Sequence, residues 1–163
     1  MPDITFRRAH ADDYTRLEQI RVAAFAPIFR SFQEILGDTI YALAQAHEDK
    51  AQGALLTEML TDDSPWRVYA VEMDEMILGF VSFCLDTEHA VGEIGLNAVD
   101  PEYAGKGIGT KMYQFALEQL KSAGAQVATV STGGDPSHQP ALSAYRKAGF
   151  NVEISSVWLC KEL

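Results

Sequence analysis

The sequence has few cysteines, few basic residues and no long apolar run, and each shortage argues against a class of protein. Cys84 and Cys160 are its only cysteines, and each lies in an apolar strand-like stretch, which indicates reduced, buried and inert thiols. Its 13 Lys and Arg are outnumbered by 23 Asp and Glu, and the net charge of −10 argues against nucleic-acid or anionic-membrane binding. No apolar run could span a membrane and the start of the chain lacks a secretion signal, so we expect a cytoplasmic protein.

The remaining composition is typical of one folded domain. With 163 residues, 47% of them hydrophobic, the chain can bury a core, and no linker or repeat divides it. We therefore expect a single domain over residues 1–163. The acidic charge is also compatible with a cationic substrate such as an amine, although solubility alone would account for it.

Hydrophobic periodicity predicts the element order βααβββαβαβ. Strands are predicted at 4–8, 66–73, 76–86, 91–99, 126–131 and 150–159, and helices near 11–24, 31–60, 108–123 and 140–148. Pro27 is expected to mark a boundary or kink in the first helical region. A crossover helix between two strands implies a parallel pair, while the hairpin-linked strands are antiparallel. We therefore expect an α/β (α+β) fold with a central mixed, mostly antiparallel sheet flanked by helices.

Three glycines, Gly105, Gly107 and Gly109, lie where strand 91–99 turns into helix 108–123. Glycine lets the backbone come close to a bulky group, and the free N–H groups of a helix's first turn attract anions. A pyrophosphate would suit this loop, and the alternative is an ordinary turn before a core helix. Two other phosphate motifs, the P-loop and G-x-G-x-x-G, are excluded because their spacings are absent.

Two segments resemble motifs of the GNAT acyltransferase superfamily. Ala104–Gly109 resembles its acetyl-CoA loop, [QR]-x-x-G-x-[GA], with Ala104 replacing Gln or Arg at the first position. His138–Phe150 resembles its late segment N-x-x-A-x-x-x-Y-x-x-x-G-F, with His138 in place of Asn. The predicted element order is also that of the GNAT fold, so the resemblance covers essentially the whole chain. It implies an acetyl-CoA-dependent N-acyltransferase that moves an acetyl group to a primary amine by direct attack.

The resemblance also implies roles for two side chains. Tyr145 would give a proton to the departing CoA thiolate, because a phenol is protonated at neutral pH and its pKa is close to that of a thiol. The alternative is that Tyr145 merely packs in an apolar helix stripe. Glu93 would remove the amine proton, and its alternative is a solvated strand glutamate. Alternation places Glu93 on one strand face with Gly95, Asn97 and Val99, opposite a face formed by Ile94, Leu96 and Ala98.

The acetyl-CoA co-substrate would be held by the strand end, the glycine loop and the late helix. By resemblance, the main chain of Asn97 and Val99 would pair with the pantetheine arm, and the amides of 105–110 would hold the pyrophosphate. The full predicted set is Asn97, Ala98, Val99, Ala104, Gly105, Lys106, Gly107, Ile108, Gly109, Thr110, His138, Ala141 and Tyr145. His138 is a weaker candidate base and more simply a helix-start residue. No histidine has partners at metal-ligand spacing, so no metal is predicted.

Two other functions stay open at this point. The departures at Ala104 and His138 would suit a CoA-binding sensor or interaction module with no turnover. A nucleotide-phosphate binder reusing the glycine loop would prefer ATP or NAD to CoA. The expected partner is a small-molecule or peptide amine, with no nucleic acid and no membrane, and the sequence does not decide whether a homodimer forms.

Overall fold

The computed structural model of the chain describes residues 3–163 and has one five-stranded sheet with helices on both faces. The strands are β1 Thr5–Arg8, β2 Arg67–Met73, β3 Met76–Asp86, β4 Val91–Val99 and β5 Val127–Val130, and the helices are α1 Tyr14–Ile40, α2 Ala46–Met59, α3 Ile108–Ser122 and α4 Gln139–Ala148. Strand order in the sheet follows the chain, β1 to β5. All neighbouring pairs are antiparallel except β4 with β5, which are parallel. The predicted mixed, mostly antiparallel sheet is confirmed.

The boundary or kink predicted at Pro27 is absent from the N-terminal helical region. Helix α1 continues through Pro27, and the non-helical residue is Gly37, with φ 72° and ψ 167°. A turn of π-helix, Tyr41–Gln45, then leads into α2. Pro27 is exposed, where water can satisfy the carbonyl that loses its helical partner, whereas Gly37 adopts a conformation that ends any helix. The boundary therefore lies at Gly37.

Each face of the sheet has its own apolar core. The core under α3 and α4 includes Val81, Phe83, Ile94, Met112, Leu120 and Tyr145. The core under α1 and α2 includes Leu17, Ile20, Leu56, Phe80, Leu96 and Ala98. Strand β4 contributes to both cores, and the loop with Gly105 and Gly107 follows it, so a ligand at that loop would lie beside β4.

A β-bulge interrupts β4 at its middle. Val81 of β3 lies opposite Asn97 and Phe83 lies opposite Ile94, so Gly95 and Leu96 together face the single residue Ser82. The Ser82 hydroxyl donates to the Leu96 carbonyl at 2.8 Å and ties the bulge to β3. An extra residue reverses the alternation of side chains along the strand. Before the bulge, Ile94 faces the α3/α4 core. After it, Leu96 and Ala98 face the α1/α2 core, although they lie two and four positions further along the strand.

The strand predicted at 150–159 was wrong, because residues 151–163 form no regular secondary structure. Phe150 still packs edge-on against Tyr145, with ring centroids 5.9 Å apart. The following residues are exposed, and Glu153 forms an ion pair with Arg146 of α4 at 2.8 Å. The alternating apolar pattern has strand propensity, but a strand also needs a neighbour to accept its hydrogen bonds. This segment has none within the described chain.

Candidate functional site

The glycine loop joins β4 to α3 through two left-handed residues. Gly105 has φ 75° and Gly107 has φ 79°, and a side chain at Gly105 would meet nothing within 4 Å. Glycine is therefore required here by backbone conformation rather than by crowding. Gly107 caps α3, and the first main-chain bond into the helix runs from the Lys111 N–H to the Gly107 carbonyl at 3.2 Å. The preceding N–H groups are left at the positive end of the helix, where an anion would be stabilised.

The other predicted residues near this loop differ in what they offer. The Lys106 ammonium lies 4.8 Å from the centre of the Tyr103 ring, and it donates to the Glu102 carbonyl at 3.4 Å. Ile108 is buried and Ala141 packs against the α3/α4 core, so their side chains are committed to packing. Ala104 is exposed and extended. These positions can meet a ligand mainly through their main chain.

Strand β4 pairs with β5 only along its first half, because β5 has just four residues. The ladder runs from Val91–Val127 to Ile94–Val130 and stops there. Within residues 3–163, nothing pairs with 97–99 on the β5 side, although β3 pairs with this stretch on the other side. Because β5 ends at Val130, a gap is left along β4 beyond Ile94, with unpaired main-chain groups of Asn97, Ala98 and Val99 on that side. An extended amide-bearing ligand could continue the ladder there.

Tyr145 lies on the α3/α4 face of the sheet, next to Asn97. Its side chain belongs to the buried core, and its ring centre is 4.3 Å from that of Tyr113. The Asn97 amide Nδ2 donates to the Tyr145 hydroxyl oxygen at 3.1 Å. Burial raises the pKa of the Tyr145 phenol, and the hydrogen bonds with Asn97 and Tyr113 lower it in part. The phenol therefore stays protonated at neutral pH. Its oxygen accepts the hydrogen bond from Asn97, so its own proton can be donated to another acceptor.

The side chain of Asn97 is held on three sides. Its Oδ1 accepts from the Tyr113 hydroxyl at 2.8 Å, while Nδ2 also donates to the Gly95 carbonyl at 2.8 Å. Burial is the main reason that the pKa of Tyr113 is raised well above its ordinary value, so Tyr113 acts as a donor. These bonds set the direction in which Nδ2 points at Tyr145. Sequence reasoning assigned Asn97 only a main-chain role and missed Tyr113 altogether.

Glu93 lies on the opposite face from Asn97, so the predicted shared face was wrong. The bulge causes the difference: Ile94 packs in the α3/α4 core, whereas Leu96 and Ala98 pack in the α1/α2 core. Glu93 is exposed and lies opposite Cys84 of β3. Burial, followed by the charge of Glu93, raises the pKa of the Cys84 thiol. Since its neighbour Ile94 faces the α3/α4 core, the Glu93 carboxylate reaches solvent on the α1/α2 side of the sheet.

Asp135, in the loop before α4, gathers three side chains around it. Its carboxylate accepts from the Ser31 hydroxyl of α1 at 2.8 Å, from the Ser137 hydroxyl, and from Nδ1 of His138. Although burial raises the pKa of Asp135, the hydrogen bonds from these side chains outweigh it and lower the pKa to about 2. Nε2 of His138 makes no hydrogen bond with the described residues, and the ring lies 5.7 Å from Phe32. The carboxylate thus orients the imidazole and leaves Nε2 open.

Other site types find little support in residues 3–163. No three His, Cys, Asp or Glu side chains of this part of the chain are grouped as metal ligands. None of its helices has both the length and the apolar character to cross a membrane. Cys84 is half-buried and Cys160 is exposed, and both are free. The expectation that both thiols are buried is therefore wrong for Cys160, because its segment makes no strand.

Comparison with known proteins finds acetyltransferases, both among family models and among curated relatives. The family model described as Acetyltransferase (GNAT) family matches residues 29–150. N-alpha-acetyltransferase 30 of Schizosaccharomyces pombe is 39% identical over 59 residues, a match that spans 36% of this chain and only 38% of that protein.

Solved structures show the same fold over nearly the whole chain. A GNAT family acetyltransferase from Brucella melitensis, in complex with acetyl-CoA, has a TM-score of 0.64 at 22% identity, covering 93% of this chain and 85% of that one. An aminoglycoside acetyltransferase from an uncultured soil metagenomic sample, in complex with sisomicin, has a TM-score of 0.60 at 16% identity, covering 98% and 96%. At these identities the likeness concerns the fold alone.

Proposed function

Because this chain belongs to the acetyltransferase (GNAT) family, we propose that it moves an acetyl group from acetyl-CoA to a primary amine by direct attack. The observation that carries the proposal is the hydrogen bond from Asn97 Nδ2 to the Tyr145 oxygen, 3.1 Å long. It occupies the oxygen of a buried phenol beside the unpaired half of β4. A buried, protonated phenol with a directed proton is suited to act as a general acid.

The acetyl-CoA site that we propose fits two features of the main chain. The amides of Gly105 to Thr110, at the positive end of α3, would hold the pyrophosphate. The unpaired edge of β4 at Asn97, Ala98 and Val99 would pair with the amides of the pantetheine arm. Main-chain recognition tolerates side-chain change, so Ala104 at the first position of the loop would not by itself prevent binding. This path leads the thioester toward Tyr145.

In the proposed reaction, the amine nitrogen forms a bond to the acetyl carbon as the carbon–sulfur bond breaks. Tyr145 gives its proton to the departing sulfur, and Asn97 then donates to the phenolate that remains. No covalent enzyme intermediate is needed. Much of the acceleration would come from holding the amine and the thioester together in one cleft.

For the base that takes the amine proton, we propose Glu93. It is exposed on the α1/α2 face, in the part of β4 that pairs with β5, and Tyr145 lies on the other face, so the two groups would approach the thioester from opposite faces of the sheet. His138 is the alternative, because Asp135 orients its ring and leaves Nε2 open. Separate Glu93→Gln and His138→Gln variants distinguish them, since only loss of the base removes the acidic limb of the pH profile of kcat/KM.

For the acceptor, we propose a cationic small-molecule amine. The net charge of −10 would steer such a substrate, and α1 carries Phe25, Phe29 and Phe32 as half-buried aromatic surface. The similarity in fold to an aminoglycoside acetyltransferase is in keeping with this class. A peptide α-amine is the alternative, as the name of the N-alpha-acetyltransferase relative suggests. Cytoplasmic location, a single domain and independence of nucleic acid and membrane stay predictions.

The test is thiol release from acetyl-CoA with a panel of amines, namely aminoglycosides, polyamines and peptides with a free α-amine, together with calorimetry of CoA binding. Turnover of a small cationic amine is expected, with the acetylated product identified by mass. CoA binding without turnover of any amine would favour the sensor or interaction module. Absence of CoA binding would contradict the proposal altogether.

A further inference from the structure

Trp66 lies on the α1/α2 face of the sheet, one residue before β2 begins. It packs against the core of that face but is only half-buried. Its six-membered ring sits against the main chain of Gly95 in β4, because a Cβ at that position would be 2.4 Å from Cζ3 and 2.7 Å from Cη2 of the ring. Glycine at position 95 therefore leaves room for the indole beside the β-bulge.

A carboxylate lies close to this ring on the same face. The β2–β3 register, continued by one residue beyond its start, places Trp66 opposite Cys84, and Cys84 pairs with Glu93. Glu93 is exposed, and it precedes Gly95 by two residues, a distance of roughly 7 Å along a strand. The indole reaches across β3 to Gly95, so its ring and the Glu93 carboxylate are neighbours at the surface.

The arginines around this surface do not neutralise it. Arg67 precedes Tyr69 of the α3/α4 core by two residues, and the Arg8 guanidinium lies 5.8 Å from the centre of the Tyr69 ring, so both belong to the other face. Arg7 and Arg21 are each held by carboxylates. Glu93 itself forms no ion pair within residues 3–163. Its negative charge is therefore available to a ligand.

We propose that Trp66 and Glu93 form a cation subsite that binds the acceptor amine in its charged form. A cation is attracted to the face of an aromatic ring within about 6 Å, and tryptophan binds it best. This inference rests on the acetyl transfer proposed above and makes Trp66 a residue that determines acceptor specificity. Aliphatic amines, which are charged at neutral pH, should be preferred to aromatic amines, which are not.

The first test observes the ring without any turnover. Trp66 and Trp158 are the only tryptophans, so replacing the exposed Trp158 by Phe leaves Trp66 as the sole indole emitter. In this background choline, a quaternary ammonium, is expected to change the emission saturably, whereas its uncharged carbon analogue, 3,3-dimethyl-1-butanol, is not. Adding Glu93→Gln should weaken choline binding. Glu118→Gln, which removes the same charge from an exposed position of α3, is the control and should not.

The second test uses steady-state acetyl transfer to an aliphatic amine. Trp66→Leu should raise the KM of the amine by roughly 3- to 30-fold, as expected for the loss of a cation–π contact. The kcat and the KM of acetyl-CoA should stay within about twofold, because the contact contributes to acceptor binding alone. Trp66→Phe keeps a weaker ring and should be intermediate. Tyr69→Leu removes a half-buried ring from the other face of β2 and should leave the amine KM unchanged.

Three results would overturn the proposal. The first is a choline titration without a saturable response, or one that the uncharged analogue reproduces. The second is an unchanged amine KM in a Trp66→Leu protein that circular dichroism shows to be folded. The third is turnover of aromatic amines as readily as aliphatic ones. Because the choline titration needs neither CoA nor turnover, it decides the cation subsite even if the proposed acetyl transfer fails.

Discussion

Replacing Asn97 with Asp would change the direction of one proton while leaving the shape of the site nearly unchanged. In the wild type, Nδ2 donates to the Tyr145 oxygen at 3.1 Å and leaves the phenol proton free. A carboxylate can only accept, so the Tyr145 O–H would turn toward it. The phenol proton would then be engaged by Asp instead of being available to sulfur, and the added negative charge would raise the pKa of Tyr145 further.

The expected size of the effect follows from the contacts. The Tyr113 hydroxyl can still donate to the new carboxylate, and Tyr145 can rotate to do so. The Gly95 carbonyl, now 2.8 Å from a donor nitrogen, would instead face an oxygen. Leaving one buried group unsatisfied costs about 2 kcal/mol, which lowers Tm by about 4–8 °C for a chain of this size. A positioned general acid contributes about 10²–10⁴-fold, so we expect kcat to fall by roughly 10- to 100-fold.

Thermal unfolding and steady-state thiol release on the same preparation measure the two effects separately. Asn151→Asp, at an exposed position, makes the same chemical change outside the site and should leave both values unchanged. A folded Asn97→Asp protein with kcat within twofold of wild type would refute the argument that Asn97 directs the Tyr145 proton.

Three further predictions concern the loop, the bulge and the Asp135 cluster. Gly107→Ala places a side chain at φ 79°, so it should lower the free energy of unfolding by about 1–2 kcal/mol and weaken CoA binding in calorimetry. Gly109→Ala is the control, because this residue lies inside α3 and an added Cβ would have its nearest neighbour at 3.8 Å. Its effect on stability should be neutral or favourable. Gly95→Ala would put Cβ 2.4 Å from the Trp66 ring, so urea unfolding should show a loss of about 1–3 kcal/mol, and an unchanged midpoint would contradict the bulge geometry. Since the pKa of Asp135 is lowered from 3.8 to about 2, its stabilisation is present above pH 4 and is lost as pH falls toward 2. Asp135→Asn should therefore show a shallower loss of Tm over that range than the wild type, and parallel curves would count against a stabilising cluster.

The elements that depend on local pattern were predictable from the sequence. Alternation and helical periodicity placed β2 to β5, α3 and α4, and the left-handed conformations of Gly105 and Gly107 follow from the residue type that such a turn requires. The parallel β4–β5 pair followed from the crossover helix. Each of these features is decided by residues close together in the chain.

The features that were missed depend on distant partners. The bulge at Gly95 reverses the faces of β4, and simple alternation cannot register an extra residue that only pairing with Ser82 reveals. The Asn97 side chain joins Tyr113 and Tyr145, which lie 16 and 48 residues away. One signal was present: Tyr113 follows the core residue Met112, and a buried tyrosine hydroxyl needs a hydrogen-bond partner. The strand predicted at 150–159 was wrong because this segment pairs with no strand of residues 3–163.

The most direct test of the account compares Tyr145→Phe with Tyr113→Phe in steady-state acetyl transfer. The centres of the two rings are 4.3 Å apart, and each variant removes one buried hydroxyl from the same cluster. If Tyr145 protonates the thiolate, kcat should fall by roughly 100-fold in Tyr145→Phe and by only a few-fold in Tyr113→Phe. Equal losses in the two variants, or full turnover by Tyr145→Phe, would contradict the role of Tyr145 as the acid.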